Sequence, residues 1–234
     1  MFHLSKKRDK HRDSGRSLIT LANPKSPIAE QYRTIRTNLQ FTALGATLQT
    51  IVVTSASSGE GKSTTASNLA IVYAQLGKRV LLMDCDMRKP TVHFTFQLAG
   101  QTGLSTVLAK RTTFDRSVQM TKVPKLHLLA AGPIPPNPSE LLASPMMKQL
   151  LDEVKEKYDL IILDAPPLMH VADSRLLASE TDGTILVVGC DNSNRDLVLK
   201  AKEQLVLSGA HMLGIVMNKR ERGGKDAYYA YTYE

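Results

Sequence analysis

From residue 50 onward the chain alternates short aliphatic runs with stretches of helical periodicity. Residues 51–53, 80–83, 126–129, 160–163, 184–188 and 213–217 are short runs made mostly of β-branched or aliphatic residues. They predict strands buried on both faces, as in a parallel sheet whose crossovers are helices. Helices are expected at 62–76, closed by Gly77, at 145–157, capped by Ser144, and at about 195–207, closed by Gly209. Upstream, Ile28, Tyr32, Ile35 and Leu39 recur at helical steps behind Pro27, which suits a first turn, so a further helix is expected from Pro27 to about Leu44. The predicted fold class is therefore α/β, a three-layer sandwich around a mostly parallel sheet. Ligands in such folds bind at the carboxyl ends of the strands.

At 234 residues, with 42% hydrophobic and 22% charged positions, the chain is globular in composition, and one main domain is expected. The net charge of +8 is unevenly placed. Residues 1–16 hold Lys6, Lys7, Arg8, Lys10, Arg12 and Arg16 against Asp9 and Asp13, half of the total excess. The remainder is only mildly basic, which argues against a nucleic-acid partner. Residues 1–26 are expected to form a flexible basic N-terminal arm, either merely solvated or drawn to anionic lipid. Cys85 and Cys190 cannot make a disulfide framework and have no His at metal-ligand spacing, which fits a reducing cytosol. No run approaches the roughly 18 apolar residues of a membrane helix, and the charged N-terminus lacks the apolar segment of a secretory signal.

Directly after the first predicted strand comes Ala56-Ser57-Ser58-Gly59-Glu60-Gly61-Lys62-Ser63-Thr64. It follows the Walker A pattern except that Ala56 replaces the first glycine, and its setting between strand and helix is the required one. Small residues there let successive backbone N–H groups surround phosphate oxygens at a helix N-terminus. Lys62 would reach the β- and γ-phosphates of ATP and the Ser63 hydroxyl would ligate Mg²⁺. The second strand ends at Asp84-Cys85-Asp86-Met87-Arg88 and the fourth at Asp164-Ala165-Pro166-Pro167. Three carboxylates thus reach the sheet edge that carries the loop, where Mg²⁺ would offset their desolvation. Asp164 is in the Walker B position. Asn218, which ends the last strand, would contact adenine or simply terminate the strand.

These elements resemble the bacterial protein-tyrosine kinases, P-loop proteins with deviant Walker motifs, in the cytosolic form found with capsule and exopolysaccharide loci. The resemblance covers residues 27–234. It rests on the phosphate loop, on the Walker A′ stretch from Leu81 to Arg88 and its continuation to His93, on the Walker B stretch, and on the segment from Gly132 to Leu142. Division-site and partition ATPases share this fold but place an extra lysine where this chain has Ser57. The segment 223–234 adds a flexible tyrosine cluster, Tyr228, Tyr229, Tyr231 and Tyr233, four of the chain's seven tyrosines, behind Gly223 and Gly224.

The resemblance implies a non-specific protein-tyrosine kinase that uses Mg-ATP, phosphorylates its own C-terminal cluster in trans and regulates capsular or exopolysaccharide synthesis. It places Ser57, Ser58, Gly59, Glu60, Gly61, Lys62, Ser63, Thr64 and Asn218 on the nucleotide, and Ser63, Asp86 and Asp164 on Mg²⁺. Asp84 would accept the tyrosyl proton, a role it could exchange with Asp86, and Arg88 would stabilise transferred phosphate or hold Asp86. Residues 27–222 would be the kinase domain. Glu30, Arg33 and Arg36, at i, i+3 and i+6, would mark an oligomerisation helix that joins copies into a ring, which tail phosphorylation should loosen by charge repulsion. A transmembrane adaptor of the polysaccharide co-polymerase type would activate the cytoplasmic chain at the inner face of the membrane. A tyrosine phosphatase and polysaccharide-synthesis enzymes would be further partners. The alternative is a partner-dependent P-loop ATPase switch of the division-site or partition type, without tyrosine kinase activity. A third reading is a nucleotide-binding scaffold.

Overall fold

The computed structural model describes residues 18–42, 48–191 and 193–220. The elements run α1 (Ile19–Ala22), α2 (Pro27–Thr42), β1 (Thr50–Ser55), α3 (Lys62–Gln75), β2 (Val80–Asp84) and α4 (Val92–Phe96). Next come α5 (Leu104–Leu108), α6 (Phe114–Ser117), β3 (Gln119–Met120), β4 (Leu126–Leu129), α7 (Pro138–Leu142) and α8 (Pro145–Lys157). The chain continues with β5 (Leu160–Asp164), α9 (Asp173–Ser179), β6 (Gly183–Gly189), α10 (Arg195–Leu207) and β7 (Met212–Asn218). The strands form one sheet in the order β3-β4-β2-β5-β1-β6-β7, parallel except for the short β3, which pairs antiparallel with β4.

Period-two alternation sends successive side chains of each strand to opposite faces, and the helices cover both. Ile51, Val53, Leu82, Leu128 and Ile162 pack with α2 and α3 residues such as Tyr32, Leu39, Leu69 and Ile71. Val52, Leu81, Met83, Ile161 and Leu163 pack instead with Leu104, Leu108, Leu150 and Val154. A third cluster joins Leu186 and Val188 of β6 to Ala201 and Leu205 of α10. The three-layer α/β sandwich and its parallel sheet are as expected from the sequence.

Four local expectations need correction. Residues 18–26, assigned to the arm, belong to the globule: Thr20 is fully buried, and its N–H and hydroxyl both donate to Asn68 Oδ1, at 3.0 and 2.8 Å. Residues 1–17 lie outside the described residues. The inward stripe of α2 uses Ala29 rather than Ile28, which is exposed, and α2 is capped by the Ser26 hydroxyl, which accepts the Ala29 N–H. Ser144 precedes α8 in an extended conformation, yet its hydroxyl donates to Leu141 O and caps nothing. Finally, β7 is an edge strand and is not buried on both faces; Ile215 and Met217 are exposed.

Register decides where the acids go. β2 and β5 are neighbours with Asp84 opposite Asp164, and β1, which leads into the glycine loop, lies on the other side of β5 with Val53 opposite Asp164. Three strand ends therefore converge on one edge.

Candidate active site

The turn between β1 and α3 is built from glycine freedom and a carboxylate brace. Gly59 and Gly61 have φ of +85° and +96°, values that other L-residues rarely adopt. A Cβ on Gly61 would lie 2.0 Å from Asn218 Nδ2. That amide donates to Glu60 O at 2.9 Å, so the end of β7 fastens the loop. The Glu60 side chain is buried; it accepts the Ser57 N–H at 2.8 Å and the Ser193 hydroxyl. Ser57 N–H is thereby committed to Glu60, and Glu60 points back into the loop. Both shape the turn, and neither lines the cleft, unlike Ser58, Gly59, Gly61, Lys62, Ser63 and Thr64.

The Lys62 ammonium donates to Asp86 at 2.9 Å and to the Ser63 hydroxyl at 3.3 Å, and stands 3.6 Å from Asp164 Oδ1. Burial alone would lower its pKa, but Asp164, Asp86 and Asp84 together raise it, so Lys62 is firmly cationic. Asp164 is fully buried, and neither of its oxygens has a hydrogen-bond partner. Burial pushes its pKa up against the pull of Lys62 and Ser63. A buried carboxylate that accepts no hydrogen bond, beside a serine hydroxyl, offers oxygen ligands suited to a hard cation. Among the described residues no group of three or more His, Cys, Asp or Glu side chains forms a complete metal cage. A cation here would accordingly take one or two carboxylates, Ser63, water and phosphate oxygens, the coordination Mg²⁺ favours.

Asp84 and Asp86 are not equivalent. Asp84 is fully buried; its Oδ1 accepts the Asp86 N–H at 3.2 Å, and its Oδ2 accepts those of Thr91 and Val92, each at 3.1 Å. Burial, reinforced by Asp164, raises its pKa to about 7 despite those bonds and Lys62. Asp86 lines the cleft, with Oδ1 on the Lys89 N–H at 3.0 Å and Oδ2 on Lys62. Asp84, expected from the resemblance to accept the tyrosyl proton, has backbone donors on both of its oxygens, and Asp86, with which it could exchange that role, is the one of the two that lines the cleft. Arg88 makes no hydrogen bond to Asp86. Its guanidinium is bound by Asp173 and Ser139.

The cleft, about 820 Å³, is completed by Lys89, Thr91, Pro166, Pro167, His170, Val171, Asn218 and Lys219. Asn218 is thus both at the cleft wall and a fastening of the loop. Ser193, Asp173 and Ser139 escape sequence reasoning: Asp173 lies 85 residues and Ser139 51 residues from Arg88, with no spacing rule to join them. Only the position of Ser139 inside the segment from Gly132 to Leu142 gave any hint. In α2, Glu30 pairs with Arg33 at 2.7 Å within the chain, and Arg36 donates to Val72 O at 3.1 Å. The tyrosine cluster lies outside the described residues.

A family model described as an AAA domain matches residues 48–198. The tyrosine-protein kinase YwqD of Bacillus subtilis is 45% identical over 92% of this chain and 91% of its own. The chain belongs to the bacterial protein-tyrosine kinase family. Consistent with that family, the crystal structure of the chimerical protein CapA2B2 superposes with a TM-score of 0.86 at 43% identity, covering 89% of this chain and 92% of that one. The septum site-determining protein MinD from Pyrococcus horikoshii, complexed with Mg-ADP, is 22% identical with a TM-score of 0.64 over 76% of this chain and 73% of its own, a likeness of fold alone. This member of the kinase family is accordingly a protein-tyrosine kinase on a P-loop nucleotide-binding scaffold, and the ATPase-switch alternative is not favoured.

Proposed function

We propose that the chain transfers the γ-phosphoryl group of ATP to the hydroxyls of Tyr228, Tyr229, Tyr231 and Tyr233 on another copy of itself. The observation that carries this reading is the buried Asp164 carboxylate, which accepts no hydrogen bond and stands 3.6 Å from the Lys62 ammonium at the glycine turn, in a member of a tyrosine kinase family.

Phosphoryl transfer requires in-line positioning and charge neutralisation more than covalent participation by protein. The N–H groups around Gly59 and Gly61 and the Lys62 ammonium bind the β- and γ-phosphates, and Asn218 keeps the loop in register. Ser63 and Asp164 would hold Mg²⁺, with Asp86 completing the shell directly or through water. When bound, that ion neutralises charge on the phosphates. The tyrosyl proton goes to the Asp84–Asp86 pair. Asp86 is the member at the cleft, and Asp84 behind it has a proton affinity near neutrality, where a general base works best. Asp84 Oδ1 accepts the Asp86 N–H, which links the two acids.

Glu30, Arg33 and Arg36 of α2 join copies into a ring that brings one tail to the next cleft. Phosphates of about −1.5 to −2 charge each then drive the tail from the acidic site and loosen the ring. No described helix is long and apolar enough to cross a membrane. A transmembrane adaptor of the polysaccharide co-polymerase type recruits and activates the chain at the inner face of the membrane, where its tyrosine phosphorylation, reversed by a phosphatase, regulates capsular or exopolysaccharide synthesis.

The test mixes two full-length variants with Mg-ATP and the adaptor's cytosolic segment. One is a donor whose four tail tyrosines are changed to Phe; the other is a Lys62→Met acceptor. Phosphotyrosine on the acceptor tail is expected, and none when the acceptor is incubated alone. An acceptor that stays unmodified beside a donor that hydrolyses ATP contradicts the reading.

A further inference from the structure

Arg88 follows the acidic end of β2, and its guanidinium is held by two residues from distant elements. Asp173, the first residue of α9, is fully buried; its two carboxylate oxygens accept Arg88 Nε at 3.0 Å and Nη2 at 3.3 Å. Ser139, in α7, accepts from the same Nη2 at 2.9 Å and donates its own hydroxyl proton to Asp173 Oδ1 at 2.5 Å. A serine hydroxyl has one donor and acceptor capacity to spare, so both of its roles are filled without conflict. The carboxylate meets the planar fork at two points, the arrangement that fixes a guanidinium most rigidly.

Two observations separate this from an ordinary structural ion pair. The Arg88 side chain remains 39% exposed and lines the cleft beside Lys89 and Thr91, although its partner is wholly buried. Its Nη1 makes no hydrogen bond among the described residues. The brace is also continuous with the catalytic edge: the next residue, Ser174, donates to Pro166 O, where the Thr54 hydroxyl also donates. The start of α9 thus ties Arg88 to the turn after Asp164 and to the last residues of β1.

We propose that Asp173 and Ser139 are positioning residues for phosphoryl transfer: they hold Arg88 at the cleft wall so that its remaining N–H edge meets the phosphate being transferred. The proposal rests on the kinase reading above. A pre-placed cation helps most where charge develops during reaction, and a small misplacement removes much of that help.

The experiment measures initial rates of tyrosine phosphorylation by the full chain as Mg-ATP is varied. It compares wild type, Asp173→Asn, Ser139→Ala, Arg88→Ala and the two double variants that include Arg88→Ala. Each single change at 173 or 139 is expected to lower kcat about 10- to 100-fold with KM for ATP altered less than about twofold. Adding Arg88→Ala should then cost little more than Arg88→Ala alone, because all three act through one group. Thermal melting confirms that each variant is folded at the assay temperature, and Ser139→Ala, which keeps the ion pair, carries the test should Asp173→Asn fail to fold. Losses that multiply in the double variants, or that fall on KM alone, overturn the positioning role. A wild-type chain that makes no phosphotyrosine even with the adaptor's cytosolic segment present overturns the kinase reading instead.

Discussion

Asp84 and Asp164 stand side by side as register partners at the ends of β2 and β5, both fully buried. Two carboxyls so placed cannot both ionise cheaply. Burial raises both, and Asp84 reaches about 7 against an unfolded value of about 3.9. Lys62 and the N–H groups of Val92 and Thr91 oppose the rise, while Asp86 and the buried Cys85 are the other titratable groups alongside.

The sign of the pH dependence follows. A carboxyl whose folded pKa is raised binds more protons in the native state between about pH 4 and 7. Its contribution to stability is full below pH 4 and lost as pH rises through 7. Denaturant melts of the nucleotide-free chain at pH 5, 6, 7 and 8 should therefore show Asp84→Asn gaining stability relative to wild type up to about pH 7 and holding a constant difference above it. A difference that does not change with pH would falsify the assignment.

Gly61→Ala should damage binding more than folding. The new side chain meets a left-handed backbone, which costs roughly 1–2 kcal/mol. It also collides with the Asn218 amide and removes that amide from Glu60 O. A fall in ATP affinity of about tenfold or more is expected from a distortion of that size. Calorimetric titration with Mg-ATP checks it, and unchanged affinity would show that Asn218 does not set the loop.

Asp182→Ala should do the opposite. One oxygen of Asp182 accepts the N–H groups of Gln49 and Thr50 and the Thr50 hydroxyl, at 2.7–2.9 Å, where β1 begins. Removing that acceptor should cost about 2–3 kcal/mol, lowering Tm by about 4–12 °C in a chain of this size. These contacts are at the far end of β1 from the glycine turn, so phosphorylation rates below the transition should stay within about twofold. A large loss of kcat without a loss of Tm would contradict the division between frame and site.

The six longer strands and the four longer helices were legible because each carries at least one full period of its own pattern. Gln119–Met120 was not: two residues show no periodicity, and they form a strand only because Leu128 and His127 offer an open edge. The helices around Val92, Leu104, Phe114, Pro138 and Asp173 are seven residues or fewer, and packing rather than propensity holds them. Ile215 and Met217 read as core because composition cannot tell a sheet's centre from its rim. Within the site, the glycine turn and the acids were visible as contiguous motifs. The buried role of Glu60 and the hold of Asp173 on Arg88 were not, since each depends on contacts between residues far apart in the chain.

The most direct measurement is mass analysis of the C-terminal peptide after the full chain is incubated with Mg-ATP, compared with Asp164→Asn at matched protein and adaptor concentrations. Wild type should gain phosphate on Tyr228, Tyr229, Tyr231 and Tyr233, and Asp164→Asn should gain almost none while keeping its circular dichroism spectrum. Peptides of equal phosphate content from the two proteins would contradict the account.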